Sequence, residues 1–190
     1  MELTTWKVIP KPRESNRVVK SVGERINEVI RGNQPWPILL DGPAGCGKTC
    51  AALCVLDWGS GFYVTAADLC SFLIEAQQGR ATWSSGYART PHEIWKDWGG
   101  AECVVLDEIG SRDKVSDHHY ETIKRAIDLR ENMPAVYVSN LSMEDLAKVY
   151  DDRIASRLAS GTRIEMTGDR RILKREAAKS GATRKEVEAL

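Results

Sequence analysis

The chain has 190 residues, of which 42% are hydrophobic and 28% are charged, and its 27 basic and 27 acidic residues give a formal net charge of zero. A chain of this size and composition is typical of one globular domain. The same numbers exclude a disordered chain, a collagen-like repeat and a strongly polybasic nucleic-acid binder.

The expected compartment follows from features that the sequence lacks. The N-terminal segment has no apolar core of the kind found in a secretory signal, and no apolar run approaches the ~20 residues that cross a bilayer. The five cysteines form no Cys-x-x-Cys pair, and their odd number argues against a disulfide framework. Cys46, Cys50 and Cys54 are spaced by four residues, and we expect them to pack in the interior along one helical face. We therefore expect a cytoplasmic protein without membrane contact.

Strand-like and helix-like segments alternate along the chain. Residues 1–16 are rich in proline and charge and predict a flexible arm, whereas apolar residues recur at helical spacing over 17–31. Short apolar runs that predict strands lie at 37–41, 62–65, 103–107, 135–139 and 162–166. Segments long enough for crossover helices lie at 47–58, 67–77, 116–131 and 142–158, and a polar loop lies at 77–91. This alternation predicts a three-layer α/β fold with a central, parallel, five-stranded sheet.

The first strand–helix junction carries a phosphate-binding motif. GPAGCGKT at 42–49 matches the pattern GxxxxGK[ST] at every fixed position. The glycines let backbone N–H groups curve around a phosphate, and the following helix adds the positive end of its dipole. In such a loop Lys48 reaches the β- and γ-phosphates, and the Thr49 hydroxyl binds Mg²⁺. The residues predicted to bind the nucleotide are Gly42, Pro43, Ala44, Gly45, Cys46, Gly47, Lys48 and Thr49.

Polar side chains follow two later strands. Asp107 and Glu108 come directly after CVVL, where Asp107 would hold Mg²⁺ through water and Glu108 would act as the base for an attacking water. The Asp-Glu pair favours ATP as the nucleotide, and the sequence has no NKxD element of the kind that a GTPase needs. Asn140 follows VYVS, where it would either orient the attacking water or cap the next helix. The alternative for the acidic pair is a strand that ends in solvated acids.

Together these motifs resemble those of the AAA+ ATPases of the DnaC/IstB-like group, which comprises bacterial and phage helicase loaders and their transposition relatives. The resemblance is carried by GPAGCGKT, VVLDEIG, DLR at 128–130, VYVSN, DRIASRL at 152–158 and GDRR at 168–171. It departs from the family at Arg170, where the family has tyrosine. The resemblance implies a P-loop NTPase domain at 17–175 with no separate lid domain, followed by a basic helix or tail at 176–190.

The resemblance also implies roles for two arginines. Arg157 matches the family's arginine finger, which reaches the nucleotide of a neighbouring subunit, and Arg171 matches the sensor arginine after the last strand. A finger supplied in trans makes hydrolysis depend on assembly, so the implied state is a homo-oligomer joined through the nucleotide site. Arg153 lies four residues before Arg157, so either could serve. The alternative for each is a surface ion pair, for instance with Asp151 or Asp152.

The partners implied by the resemblance are single-stranded DNA and a replicative helicase or another DNA-bound protein. The loop with Arg80, Trp83, Tyr87 and Arg89 combines cations and aromatic rings as single-strand binders do, although an ordinary loop or a subunit interface is the favoured alternative for it. The basic stretch 170–185 would follow phosphates or form a solvated helix face. Three other functions remain open, namely an IstB-like transposition ATPase, a P-loop small-molecule kinase and a nucleotide-switched binding module.

Overall fold

Five parallel strands form one sheet in the order β2-β3-β4-β1-β5. The structure is a computed structural model, and it describes residues 17–57, 60–81, 88–111 and 115–168. The strands are β1 Ile38–Asp41, β2 Gly61–Thr65, β3 Cys103–Ile109, β4 Ala135–Ser139 and β5 Thr162–Glu165. The predicted five-stranded parallel sheet is confirmed, although β3 extends two residues beyond its predicted end.

Seven helices lie in the described ranges, one before β1 and six between the strands. They are α1 Arg17–Ile30, α2 Lys48–Leu56, α3 Ala66–Gln77, α4 Pro91–Gly100, α5 Asp117–Asp128, α6 Met143–Val149 and α7 Asp152–Leu158. The segment 142–158, which is long enough for one crossover helix, holds two helices because the Asp151 side chain accepts a hydrogen bond from the Ile154 N–H and starts α7. The predicted arm at 1–16 and tail at 176–190 lie outside the described residues.

The sheet separates two apolar cores, which makes the fold three-layered. Alternate residues of β3 point to opposite faces, so Val104 and Leu106 pack in the core under α3–α7, whereas Cys103 and Val105 pack in the core under α1 and α2. Because the central strands are covered on both faces, their sequences are nearly continuous in apolar residues. All strands run the same way, so the loops that follow them gather at one edge of the sheet, here called the carboxyl edge.

At the opposite edge, here called the amino edge, a fully buried arginine joins several backbone segments. The two terminal nitrogens of Arg130 donate to five carbonyl oxygens at 2.6–3.4 Å. The acceptors are Trp98, Gly99, Ala101, Glu102 and Pro134. These residues include the end of α4 and the entries to β3 and β4, so Arg130 fixes where both strands begin. Burial lowers the pKa of Arg130 below its ordinary value.

The five cysteines are free thiols, as their odd number predicts. The expectation that three of them are buried along one face is wrong for two, since Cys46 is buried but Cys50 and Cys54 are exposed. The four-residue spacing does place Cys50 and Cys54 on one face of α2, and that face points outward. None of the helices in the described ranges is both long enough and apolar enough to cross a membrane.

Candidate functional site

The phosphate-binding loop lies between β1 and α2, and its backbone requires glycine. Gly42 has a φ of 140°, and a Cβ atom there would lie 2.0 Å from the Met166 carbonyl oxygen. Gly45 and Gly47 also have positive φ, at 87° and 96°. No side chain caps α2 at Gly47, which leaves the first N–H groups of the helix available to an anion.

Lys48 is held across this loop. Its side chain is buried, with only 5% of the residue exposed. The ammonium donates to the carbonyl oxygens of Gly42 and Pro43, both at 2.7 Å, and lies 3.5 Å from Cys46 Sγ. The loop therefore holds a positive charge within its curve, while Pro43 and Ala44 form its exposed outer part.

An ion pair supports the loop from beneath. The Asp41 carboxylate, which immediately precedes the loop, is buried and accepts two hydrogen bonds from Arg163 of β5, at 3.0 Å and 2.6 Å. These hydrogen bonds raise the pKa of the Arg163 guanidinium. The pair neutralises a carboxylate that would otherwise repel a bound phosphate. Arg163 carries no motif signal in the sequence, since the pairing of β1 with β5 is what brings it to Asp41.

Asp107 of β3 lies at the carboxyl edge and is 3% exposed. Its Oδ2 atom accepts hydrogen bonds from the Thr49 hydroxyl at 2.8 Å and the Tyr63 hydroxyl at 3.0 Å, and its Oδ1 atom accepts from the Glu108 N–H at 2.6 Å. The two sequence motifs thus meet at one carboxylate. Sequence reasoning missed Tyr63, because its approach depends on the pairing of β2 with β3. Burial and the hydrogen bond to Asp107 raise the pKa of Tyr63 to about 12.

The Thr49 hydroxyl and the Asp107 carboxylate fit a magnesium ion that arrives with a nucleotide. Both are hard oxygen donors, and Mg²⁺ in nucleotide sites commonly takes one or two protein ligands together with phosphate oxygens. In the part of the chain that the structure describes, no group of three or more His, Cys, Asp or Glu side chains could hold a metal ion. The protein donors alone therefore make an incomplete site, which phosphate oxygens would complete.

Glu108 has an unusual backbone conformation. Its φ is +59°, which only a few per cent of residues other than glycine adopt, and the register between β3 and β4 shifts between Leu106 and Ile109. This bulge exposes Glu108 beside the buried Asp107. The Ser139 hydroxyl donates to the Ile109 carbonyl at 2.8 Å and ties the bulge to β4. Strained residues held in this way are concentrated at functional sites.

Asn140 lies exposed at the end of β4, between the two motifs. The last residue of β4, Ser139, pairs with Asp41 of β1 on one side and with Ile109 of β3 on the other. Asn140 is not the helix cap, since the Ser142 side chain accepts the Asp145 N–H at the start of α6. This leaves the other interpretation, in which the Asn140 amide would orient the attacking water.

The structure does not bring Arg157 to the phosphate-binding loop. Arg157 lies at the end of α7, forms an ion pair with Asp128 and borders a small cavity together with Pro37 and Ser160. Pro37 precedes β1 and the loop follows it, so the four residues of β1, about 13 Å long, separate Arg157 from the loop of its own chain. An ion pair was the alternative to the finger role of Arg157, and its partner is Asp128 and not Asp151 or Asp152. Arg171 lies outside the described residues.

The candidate DNA-binding loop is described only in part. Trp83 and Tyr87 lie outside the described residues. Arg89 forms an ion pair with Asp97 of α4, with Nη1 and Oδ2 2.5 Å apart. This pairing offsets part of the positive charge that the sequence interpretation assigns to the loop.

Comparison with known proteins shows which fold this is. No protein-family model matches the chain, and no curated protein matches it. Among solved structures, AMPPCP-bound DnaA from Aquifex aeolicus matches 95% of this chain with a TM-score of 0.68 and 16% sequence identity, and this chain spans only 60% of that protein.

Two shorter proteins align over most of their own length. The DnaC helicase loader matches 83% of this chain and 97% of its own, with a TM-score of 0.60 and 18% identity. DnaI matches 81% of this chain and 87% of its own, with a TM-score of 0.62 and 21% identity. The predicted three-layer α/β fold is therefore confirmed, and so is the resemblance to the DnaC helicase loader and DnaI at the level of the fold.

Proposed function

We propose that this protein binds ATP together with Mg²⁺ at the carboxyl edge of its sheet and hydrolyses it to ADP and phosphate. The observation that carries the proposal is the 2.8 Å hydrogen bond from Thr49 in the phosphate-binding loop to Asp107 at the end of β3. These residues are 58 positions apart in the chain, and each belongs to a separate nucleotide-binding motif. The phosphate-binding loop and the acidic pair of β3 thus meet at one hydrogen bond, which supports a site there for a nucleotide-bound cation.

In this proposal the loop binds the phosphates. The N–H groups of Gly45, Gly47 and the first turn of α2 would donate to phosphate oxygens, and Lys48 would move part of its hydrogen bonding from the Gly42 and Pro43 carbonyls to the β- and γ-phosphates. Thr49 and Asp107 would hold Mg²⁺, which when bound neutralises charge on the phosphate oxygens. Since the Arg163–Asp41 pair neutralises the carboxylate next to the loop, it favours the same anion.

Glu108 is the proposed general base. Its exposed carboxylate would take a proton from a water molecule as the water oxygen forms a bond to the γ-phosphorus and the bond from that phosphorus to the ADP oxygen breaks. The Asn140 amide would orient the water, because it lies between the loop and Glu108. The left-handed backbone of Glu108 supports this role, since Glu108 is the exposed residue of an otherwise buried strand.

A second copy of the chain would complete the site. Arg157 is separated from its own loop by the length of β1, so it would contact a nucleotide only across a subunit boundary, where it would neutralise charge on the transferred phosphoryl group. We propose Arg171 as the arginine that senses the nucleotide within the subunit. This arrangement makes a homo-oligomer joined through the nucleotide site the active form.

We further propose that the ATPase acts in DNA replication, in the manner of a helicase loader, with single-stranded DNA and a replicative helicase or another DNA-bound protein as partners. The support is the fold, which this chain shares with DnaA, with the DnaC helicase loader and with DnaI. The cations and aromatic residues of the loop 77–91 add support for single-stranded DNA.

Steady-state ATPase assays with and without single-stranded DNA test the proposal. The Lys48→Ala variant serves as the control for contaminating ATPase, and mass is measured in parallel with a slowly hydrolysed ATP analogue. We expect turnover that single-stranded DNA stimulates and an oligomer that forms only with nucleotide. A monomer that transfers phosphate to an added nucleoside would support the kinase instead, and binding of ATP without turnover would support the nucleotide-switched module.

A further inference from the structure

The Asp107 carboxylate is unusually well supplied with hydrogen-bond donors. Its Oδ1 atom accepts the Glu108 N–H, and its Oδ2 atom accepts both the Thr49 and the Tyr63 hydroxyls. A carboxylate oxygen has about two lone-pair sites, so the two hydroxyl donors occupy both sites of Oδ2. Oδ2 is also the oxygen next to Thr49, and a cation that contacts the Thr49 oxygen would therefore meet Oδ2 first.

Tyr63 reaches Oδ2 from β2, the outermost strand of the sheet, which pairs with β3. It lies on β2 opposite Val105 of β3, and Asp107 is two residues further along β3 on the same face. The residue is 41% exposed, in contrast to the buried strands at the centre of the sheet. Its hydroxyl contributes a hydrogen bond to the site, whereas its ring contributes little to the apolar core. Removal of the hydroxyl alone should therefore leave the fold intact.

The second hydroxyl donor changes what Asp107 can offer to a cation. Thr49 can donate its proton to Oδ2 while a lone pair on its own oxygen contacts the cation. Tyr63 occupies the remaining lone pair of Oδ2, so direct coordination by that oxygen would break the hydrogen bond from Tyr63. A cation that keeps its water shell can instead contact Asp107 through water. Mg²⁺ gives up water reluctantly, whereas Ca²⁺ takes carboxylate oxygens directly and in flexible geometry.

We propose that Tyr63 is a specificity-determining residue of the cation site, which keeps Asp107 in water-mediated contact and thereby favours Mg²⁺ over Ca²⁺. This inference rests on the proposed function, because it requires that the nucleotide binds together with a divalent cation at Thr49 and Asp107. It adds a residue that belongs to neither nucleotide motif.

Tyr63→Phe tests the proposal, since it removes the hydroxyl and keeps the ring. The dissociation constant of a fluorescent ATP analogue, mant-ATP, is measured with Mg²⁺, with Ca²⁺ and with EDTA. The control is Tyr120→Phe, which removes a similar hydrogen bond, from the hydroxyl of Tyr120 on α5 to Asp151, the residue before α7, at 2.6 Å. Thermal unfolding of each variant shows whether the fold is retained.

We expect wild type and Tyr120→Phe to bind mant-ATP more tightly with Mg²⁺ than with Ca²⁺. In Tyr63→Phe this preference should shrink about tenfold, the size of one hydrogen bond to a charged group, while binding in EDTA is unchanged. A preference for Mg²⁺ that stays within twofold of wild type would overturn the role of Tyr63. If wild type binds no mant-ATP under any of these conditions, the proposed function itself fails.

Discussion

The two edges of the sheet use charged groups in opposite ways. At the carboxyl edge Glu108 is exposed on a left-handed backbone, and the phosphate-binding loop is open at the start of α2. At the amino edge Arg130 is fully buried, and its terminal nitrogens are occupied by backbone carbonyls. The carboxyl edge therefore has polar groups available for a ligand, whereas the amino edge uses its charge to join segments of the chain.

The difference separates charged residues with a functional role from those with a structural role. DLR at 128–130 and the Asp-Glu pair at 107–108 both belong to the motifs that carry the family resemblance, yet their chemistry differs. Arg130 has its partners within the chain, so its loss should cost stability. Glu108 has an exposed carboxylate on a strained backbone, so its loss should cost turnover. Substitutions at the two edges test this separation.

Glu108→Gln should lower ATP turnover by about a thousandfold, within the range for loss of a general base, and leave ATP binding close to wild type. The amide keeps the shape of the side chain but cannot accept the proton from water. Turnover and nucleotide affinity are measured separately, and Glu131→Gln, an exposed acid near the amino edge, is the control. Equal turnover in both variants would remove Glu108 from the mechanism.

Arg130→Met should lower the free energy of unfolding by about 3–5 kcal/mol, because it leaves buried carbonyls at the end of α4 and the entry to β4 without a donor. Arg130→Lys should recover only part of this loss, since an ammonium cannot span the same set of acceptors. Urea denaturation gives the values. Arg153→Met, an exposed change on α7, should stay within about 0.5 kcal/mol of wild type. A similarly small loss for Arg130→Met would show that the buried arginine does not hold the amino edge together.

Stability should fall as pH rises above about 9, and Cys103 should contribute to that fall. Burial raises the pKa of the Cys103 thiol to about 12, whereas the thiol titrates near 9.0 in its ordinary state. Between these two values the unfolded chain loses a proton that the folded chain keeps, so the free energy of unfolding decreases by about 1.4 kcal/mol per pH unit for this group.

Cys103→Val should flatten this decrease between pH 8.5 and 10, as measured by urea denaturation at several pH values. Cys50→Val, which changes an exposed thiol on α2, should not flatten it. An unchanged slope in Cys103→Val would show that the thiol at the start of β3 is not held neutral by burial.

The sequence predicts the sheet and the two nucleotide motifs because both depend on short stretches of chain. The run CVVLDE identifies a buried strand and the acids at its end without any knowledge of neighbours. Tyr63 and Arg163 act through partners that the sheet brings close across 44 and 122 residues, so the order of the strands must be known first. The same limit explains why burial was wrongly expected for Cys50 and Cys54. Spacing shows that two residues share a helix face, but it does not show whether that face is buried.

The left-handed backbone at Glu108 could not be predicted either. It lies within the shift in register between β3 and β4, and that shift belongs to the pairing of two strands far apart in the chain. In the sequence Arg130 is the last residue of the DLR motif at 128–130, and its burial depends on the positions of α4 and β4 around it. In each case the missing information was long-range contact.

The central claim is that the carboxyl edge of one chain hydrolyses ATP with help from the amino edge of another. Its most direct test is the turnover of Glu108→Gln and Arg157→Ala, each alone and mixed in equal amounts at saturating concentration. Each variant alone should be inactive, whereas the mixture should regain about a quarter of wild-type turnover, because in a head-to-tail assembly the base and the finger come from different subunits. A mixture as inactive as the separate variants, or full turnover of Arg157→Ala alone, would contradict this account.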